Sequence, residues 1–307
     1  MNRLNLKNNL ILAPIAGYSD AGMRTLCRRY GAALTFTEMV SAKGLYYNGA
    51  NTKSLLFTYP EERPIGVQLF GSEPEIIAYA ISLPELKKFD VIDINMGCPV
   101  PKIVKNGEGS ALMKNPELVY KIIKAAVQAA QGRPVTAKIR AGFSSDDLNA
   151  VEIACIAAQA GASAITVHGR TRDMFYSGKA DLDIIKKVKE SVDIPVIGNG
   201  DIKDNSSYKR MVEYCGADYV MIARGAIGKP YIFAQILNQD FEYSAKDAII
   251  EHLNLLCGYL DERTAVSNMK KQIAYYVKGM RGSKQIKEKI FQTFTKAEML
   301  HAVESLL

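Results

Sequence analysis

The chain has 307 residues, 48% of them hydrophobic, with a mean hydropathy of −0.05 and a net charge of +7. That is enough apolar material for one large core and a smaller second one, yet no apolar run approaches the roughly 18 residues of a membrane span. Five widely spread cysteines with no C-x-x-C pair argue against a disulfide framework or a zinc site and lead us to expect a reducing, cytoplasmic setting.

Short apolar runs recur along the chain, separated by helical patterns. The N-terminus shows no signal-peptide organisation, since Leu10–Ala13 leads straight into Pro14 and reads as a first strand. The remaining candidate strands are Leu34–Glu38, Ile65–Leu69, Val91–Ile94, Val135–Ile139, Ala164–Val167, Pro195–Gly198 and Tyr219–Ile222. Between them, Ser72 before Pro74 and Glu75, and Asn115 before Pro116 and Glu117, combine a capping residue with a first-turn proline and acid. Gly161, after Val151–Ala160, is a helix stop. Eight β-then-α units over this length predict a (β/α)8 barrel. A doubly wound sheet is the alternative, disfavoured because no G-x-G-x-x-G follows the first strand.

After Ile236 the β pattern ends. Ala245–Leu260, Thr264–Gly279, Lys284–Phe291 and Lys296–Leu306 read as amphipathic helices. We therefore expect a barrel domain over residues 1–238 and a small helical domain over 239–307, with Asn238–Ser244 as linker. From Arg263 to Lys296 there are nine basic residues against one acid, a net +8, which leaves −1 for the rest of the chain. Such a concentration of charge suggests a polyanionic partner; a solvated helical face is the plainer alternative.

In a parallel barrel the carboxyl ends of all strands converge on one mouth. Just past the candidate strands stand Pro14 and Ala16, Glu38, Gln68, Asn95 and Cys98, Lys138 and Arg140, His168 and Arg170, Asn199 and Asp201, and Arg224. A barrel built only for stability does not need a polar group at nearly every end. Cys98, between Gly97 and Pro99, is either a displayed reactive thiol or a packed one; Cys27, Cys155, Cys215 and Cys257 lie in helical patterns and read as packing. The glycine-rich turns Gly198–Asp201 and Ala223–Gly228 follow strands seven and eight, where barrels commonly dock phosphate groups.

Together these residues resemble the tRNA-dihydrouridine synthase family, whose members are FMN-dependent barrels followed by a helical domain. The resemblance covers essentially the whole chain. It is carried by Ala13–Gly17, Gln68, Asn95-Met96-Gly97-Cys98-Pro99, Lys138-Ile139-Arg140, Val167-His168-Gly169-Arg170-Thr171, Gly198–Asp201 and Met221–Ala226, and Gly107–Leu112 with the tail is most similar to the bacterial B-type branch. Two departures are mild: Ile15 stands where Met is frequent, and Tyr231 where Trp is frequent.

The resemblance implies that NADPH reduces FMN and that FMN reduces the 5,6 double bond of a uridine in tRNA, with Cys98 as proton donor. No dinucleotide fingerprint separates NADPH from NADH. The resemblance further implies that Lys138 and His168 bring positive charge to the flavin, Gln68 bonds its ring, and Pro14, Ile15 and Ala16 wall it. Asn199, Gly200, Asp201, Ala223 and Arg224 would hold its phosphate. Asn95, Arg140 and Arg170 would face the substrate, and Lys270, Lys271, Lys278 and Arg281 would grip tRNA phosphates. No metal and no membrane are expected, and a monomer is the expected state. The rival readings are another FMN barrel acting on a free small molecule, such as a dihydroorotate dehydrogenase-like enzyme, and a non-catalytic RNA-binding protein.

Overall fold

The computed structural model describes residues 4–306. Eight strands form a closed parallel barrel in sequential order: β1 Leu10–Leu12, β2 Leu34–Ser41, β3 Ile65–Phe70, β4 Val91–Asn95, β5 Val135–Arg140, β6 Ala164–His168, β7 Val196–Asn199 and β8 Tyr219–Ile222. β8 closes on β1 through the pairs Leu10–Val220, Ile11–Met221 and Leu12–Ile222. The strands thus alternate with helices as the apolar runs predicted.

Alternation of side chains along each strand splits the apolar residues into two clusters. Outward positions such as Ile92, Ile94, Ala137, Ile139, Ile165 and Val167 pack under the surrounding helices. Inward positions at the amino ends, among them Ile11, Leu34, Phe36, Val91, Ala164, Ile197 and Met221, form a separate plug inside the barrel. Gly66 makes room for this plug: a Cβ there would stand 2.2 Å from the Phe36 ring. Two residues further along, the same inward parity turns polar. β3 passes from Gly66 to Gln68, β4 from Val91 to Asp93 and Asn95, β5 from Thr136 to Lys138 and Arg140, β6 from Ala164 to Thr166 and His168, and β7 from Ile197 to Asn199. The barrel is therefore oily at its base and polar at its mouth.

Several strands run further than the apolar runs indicated. β2 continues to Ser41, and Asn95, Arg140, His168 and Asn199 are the last residues of their strands rather than the first of their loops. Backbone pairing continues under a polar inward side chain, because the ladder uses only main-chain groups. Asn115 caps its helix as expected, accepting from the Leu118 amide at 3.0 Å. The helix at Pro74 is instead preceded by Glu73, with no side-chain cap bond, so Ser72 is one residue too early.

The C-terminal helices are Ala245–Cys257, Glu262–Tyr276, Ser283–Phe291 and Lys296–Leu306. Asp261 starts the second by accepting from the Thr264 amide at 3.0 Å. Its buried face, Ala265, Val266, Met269, Ile273 and Tyr276, follows helical spacing. These residues join Ile249, Leu253, Leu256, Ile286, Ile290, Met299 and Val303 in a core of their own, which also takes in Leu26 from the helix Ala21–Arg29. Burying each such Leu or Ile contributes about 1.5–3 kcal/mol. Cys27 and Cys215 are packed, whereas Cys155 and Cys257 are only half-buried. Among the described residues no helix is long and apolar enough to cross a membrane.

Candidate active site

Strand register sets the floor of the mouth. Gln68, Asp93 and Thr136 stand side by side across β3, β4 and β5, Asn95 stands beside Lys138, and Arg140, His168 and Asn199 pair across β5, β6 and β7.

Cys98 sits in the loop beyond β4, only 9% exposed. The loop is clamped from several sides. Asn95 Oδ1 accepts from the amides of Gly97 at 3.1 Å and Cys98 at 2.9 Å. The Arg140 Nε donates to the Gly97 carbonyl at 2.7 Å, and the Ser110 amide donates to the Cys98 carbonyl. Gly109, at φ +60, lets the chain pass closely, since a Cβ there would stand 2.9 Å from the Cys98 oxygen. Burial pushes the Cys98 thiol up, and this outweighs the downward pull of the Val100 amide, Arg140 and Lys138. The group is therefore a protonated thiol at neutral pH.

Lys138 Nζ donates to Asn199 Oδ1 at 3.0 Å, and Asn199 in turn donates to the Met221 carbonyl at 2.8 Å. Burial first, then Arg140, pulls the ammonium down to about 8, with Asp93 and Cys98 acting the other way. His168 Nε2 lies 3.3 Å from Arg170 Nη1. A guanidinium can only donate, so Nε2 is the acceptor and the ring carries its proton on Nδ1. Burial, reinforced by Lys138, Arg140, Arg170 and Arg224, holds His168 far below its usual range. The ring is neutral, contrary to the expectation that it adds positive charge; burial is the main reason, and the four neighbouring cations act the same way.

The arginines are committed differently. Arg140 Nη1 donates to the carbonyls of Thr171 at 2.8 Å and Phe175 at 2.9 Å. Arg170 is 2% exposed and holds the Ser177 and Gly178 carbonyls and both oxygens of Asp201, each at 2.8 Å. Its guanidinium is turned into the protein, braced for loop folding rather than for contact with an incoming molecule. Asp201 also takes the Ala180 amide at 2.9 Å and Arg224 at 3.4 Å. Burial raises this carboxyl, but the Ala180 amide and the two arginines outweigh it and hold it below the usual range. The Asp201 side chain thus aims Arg224 and offers no donor of its own. Gly200, at φ +134, brings the turn within 2.5 Å of Ala180 Cβ, measured from where its own Cβ would be.

Pro14, Ile15 and Ala16 form the turn after β1, pinned where the Ile15 amide donates to Ser19 Oγ at 2.8 Å and the Gly17 amide donates to Glu38. Lys271 reaches this turn from the helix Glu262–Tyr276, its Nζ 3.3 Å from where a Gly17 Cβ would stand. Lys270 points elsewhere, to the Phe291 carbonyl at 3.1 Å and the Phe294 ring. Lys278 and Arg281 are exposed. Tyr176 was missed in the sequence. Its ring, 55% exposed, stands 5.8 Å from the Arg140 guanidinium and 5.0 Å from that of Arg224; an aromatic in a long irregular loop carries no periodic signal.

The family model described as dihydrouridine synthase matches residues 11–307. The chain belongs to the dihydrouridine synthase family. A probable tRNA-dihydrouridine synthase from Rickettsia conorii is 38% identical over 96% of both chains. A tRNA-dihydrouridine synthase B from Shewanella oneidensis is 39% identical over 97% of this chain and 95% of its own. Among solved structures, histamine dehydrogenase from Rhizobium sp. 4-9 aligns with a TM-score of 0.58 at 13% identity, covering 81% of this chain, which spans about half (49%) of that protein. Morphinone reductase aligns with a TM-score of 0.56 at 12% identity, over 78% of this chain and 88% of that one. Both support the barrel. In this dihydrouridine synthase family member, the thiol, the lysine and the two glycine turns all open on one mouth.

Proposed function

We propose that this protein reduces the 5,6 double bond of uridines in tRNA to dihydrouridine, using FMN at the barrel mouth and NADPH as reductant. The observation that carries the reading is the buried Cys98 thiol held by its loop over the same mouth as Lys138. The donors there fit a phosphate-bearing flavin. After Asn199, Lys138 has two N–H groups without a partner among the described residues, and the amides of Gly200, Asp201, Arg224 and Gly225 donate to no protein group among them. Arg224 adds a half-exposed guanidinium. Pro14, Ile15, Ala16, Gln68 and Ala223 would complete the walls, and neutral His168 would serve as a hydrogen-bonding group.

FMN, when bound, supplies the hydride that adds to C6 of the uracil. Cys98 Sγ–H then gives its proton to C5, so that one hydride and one proton cross the double bond. The thiolate left behind is met by the Val100 amide, Arg140 and Lys138 and regains a proton from water. Asn95 and Arg140 support this step by holding the cysteine loop, and Tyr176 with Arg140 borders the space for the base. A base must leave its stack to reach so deep a site.

The proposed division is a catalytic barrel over 1–238 and an RNA-gripping helical domain over 239–307, with Lys270, Lys271, Lys278 and Arg281 on phosphates; residues 1–3 and 307 lie outside the described residues. The chain is proposed to act as a monomer in the cytoplasm without a metal. The test is to map dihydrouridine in tRNA from cells with and without the gene, alongside the flavin absorbance of the purified protein. Unchanged dihydrouridine at every position, or colourless protein that takes up no FMN, would sink the reading.

A further inference from the structure

Asp93 is fully buried on β4 beneath the cysteine loop and has no assigned part in the reaction. Its two oxygens accept from Gln68 Nε2 at 2.7 Å and Thr136 Oγ1 at 2.6 Å. Gln68 Oε1 accepts from Asn95 Nδ2 at 2.8 Å, and Asn95 Oδ1 accepts from the amides of Gly97 and Cys98. This chain of hydrogen bonds has only one possible direction. At its upper end stand two backbone N–H groups, which can only donate, so Asn95 must turn its oxygen up and its NH2 down. Gln68 must then offer its oxygen to Asn95 and its NH2 to Asp93. The lower end therefore needs an acceptor, and an ionised carboxylate is the one side chain that accepts there without also bringing a donor that must be turned away.

We propose that Asp93 is a positioning residue for Cys98, its carboxylate fixing through Gln68 and Asn95 the placement of the cysteine loop. The proposal rests on the reading of Cys98 as the proton donor, but the chain itself does not depend on that reading. Burial pushes the Asp93 carboxyl up to about 6, opposed by Gln68, Thr136 and Lys138, so the group is mainly ionised and accepting at neutral pH. The strands bring the members together by register alone, Gln68 beside Asp93 and Asp93 beside Thr136. If the acceptor is lost, a buried Gln68 NH2 is stranded, and the amides can be relieved only by turning, which sets Asn95 NH2 against two N–H donors.

The test measures alkylation of Cys98 by iodoacetamide, followed peptide by peptide because Cys155 and Cys257 are also accessible, together with dihydrouridine formation. Asp93→Leu is expected to speed Cys98 alkylation threefold or more in the protein without tRNA or reductant. It should also lower kcat tenfold or more, with KM for tRNA changed less than twofold. Asp93→Asn, which can still accept from Gln68 while Thr136 accepts its NH2, should restore most of both. If Asp93→Leu does not fold, Asp93→Asn combined with Thr136→Val removes the means of orienting the new amide and should show the same rise in alkylation. Alkylation and kcat within twofold of the unaltered protein in the variant that folds would overturn the proposal. Faster alkylation in a protein whose unaltered form makes no dihydrouridine would uphold the positioning and count only against the proposed reaction.

Discussion

His252, on the helix Ala245–Cys257, places its Nε2 2.8 Å from Oδ1 of Asp20, 232 residues away in the segment that follows the β1 turn. Asp20 also caps the helix Ala21–Arg29 by accepting from the Met23 amide at 2.9 Å, and its second oxygen takes Gln272 Nε2 at 2.8 Å. Gln272 further donates to the Tyr18 carbonyl at 3.0 Å. Gly22 permits this closeness, for a Cβ there would stand 2.5 Å from the imidazole. One buried carboxylate thus ties two C-terminal helices to the stretch beside Pro14–Gly17. The position of the helical region is thereby linked to one wall of the mouth.

Replacing His252 with Leu leaves the Asp20 carboxylate buried and short of one hydrogen-bond partner, a change that typically costs about 1–3 kcal/mol. Urea denaturation should show the midpoint falling by a matching amount. A loss under about 1 kcal/mol would mean that Gln272 and Met23 suffice.

A proton donor works only while protonated, and Cys98 has its thiol pushed above the ordinary value of about 8.5 by burial. Dihydrouridine formation should therefore be sustained through neutral pH and fall only as pH rises past that value. A profile already declining between pH 6 and 7.5 would identify a different acid.

Cys98→Ser keeps the loop contacts of Asn95 and Arg140, which are to backbone atoms, but replaces the thiol with a much weaker acid. The variant should retain FMN and still accept hydride from NADPH, while product formation drops by a factor of about 10²–10⁴. Stopped-flow absorbance and nucleoside analysis separate the two halves, and full product formation would remove Cys98 from the mechanism.

Gly225 lies where a Cβ would fall 2.1 Å from the Ile202 carbonyl oxygen, a backbone atom. Gly225→Ala must push apart the two loops proposed to receive the phosphate. FMN affinity should weaken at least tenfold, about 1.4 kcal/mol, with little change in the far-ultraviolet circular dichroism. Fluorescence titration of FMN into the stripped protein is the measurement.

Lys278 and Arg281 are exposed, and among the described residues neither forms an ion pair. Changing both to Ala should weaken tRNA binding and flatten its dependence on salt, the log–log slope shrinking by about 1 per lost phosphate contact. Filter binding over a salt series would reveal it. An unchanged slope would place the RNA on another face.

What the chain determined by itself was the scaffold and the location of its chemistry. Eight apolar runs with helical spacers, and no G-x-G-x-x-G after the first, favour a barrel over a doubly wound sheet, and the switch from Val91 to Asp93 and Asn95, or from Ile197 to Asn199, along one inward face already marks which end is the mouth. Local alternation and cross-strand pairing suffice for that. The partners of each polar side chain were another matter. That Asn95 and Arg140 brace the cysteine loop, that Arg170 faces inward onto Asp201, that His168 is neutral among four cations, and that His252 meets Asp20 were decided only by the tertiary structure. Such contacts depend on register between strands and on loops closing over distant residues, and a hydrogen bond or a shifted proton is set by whatever stands within a few ångströms in space, which neighbours in the chain do not specify.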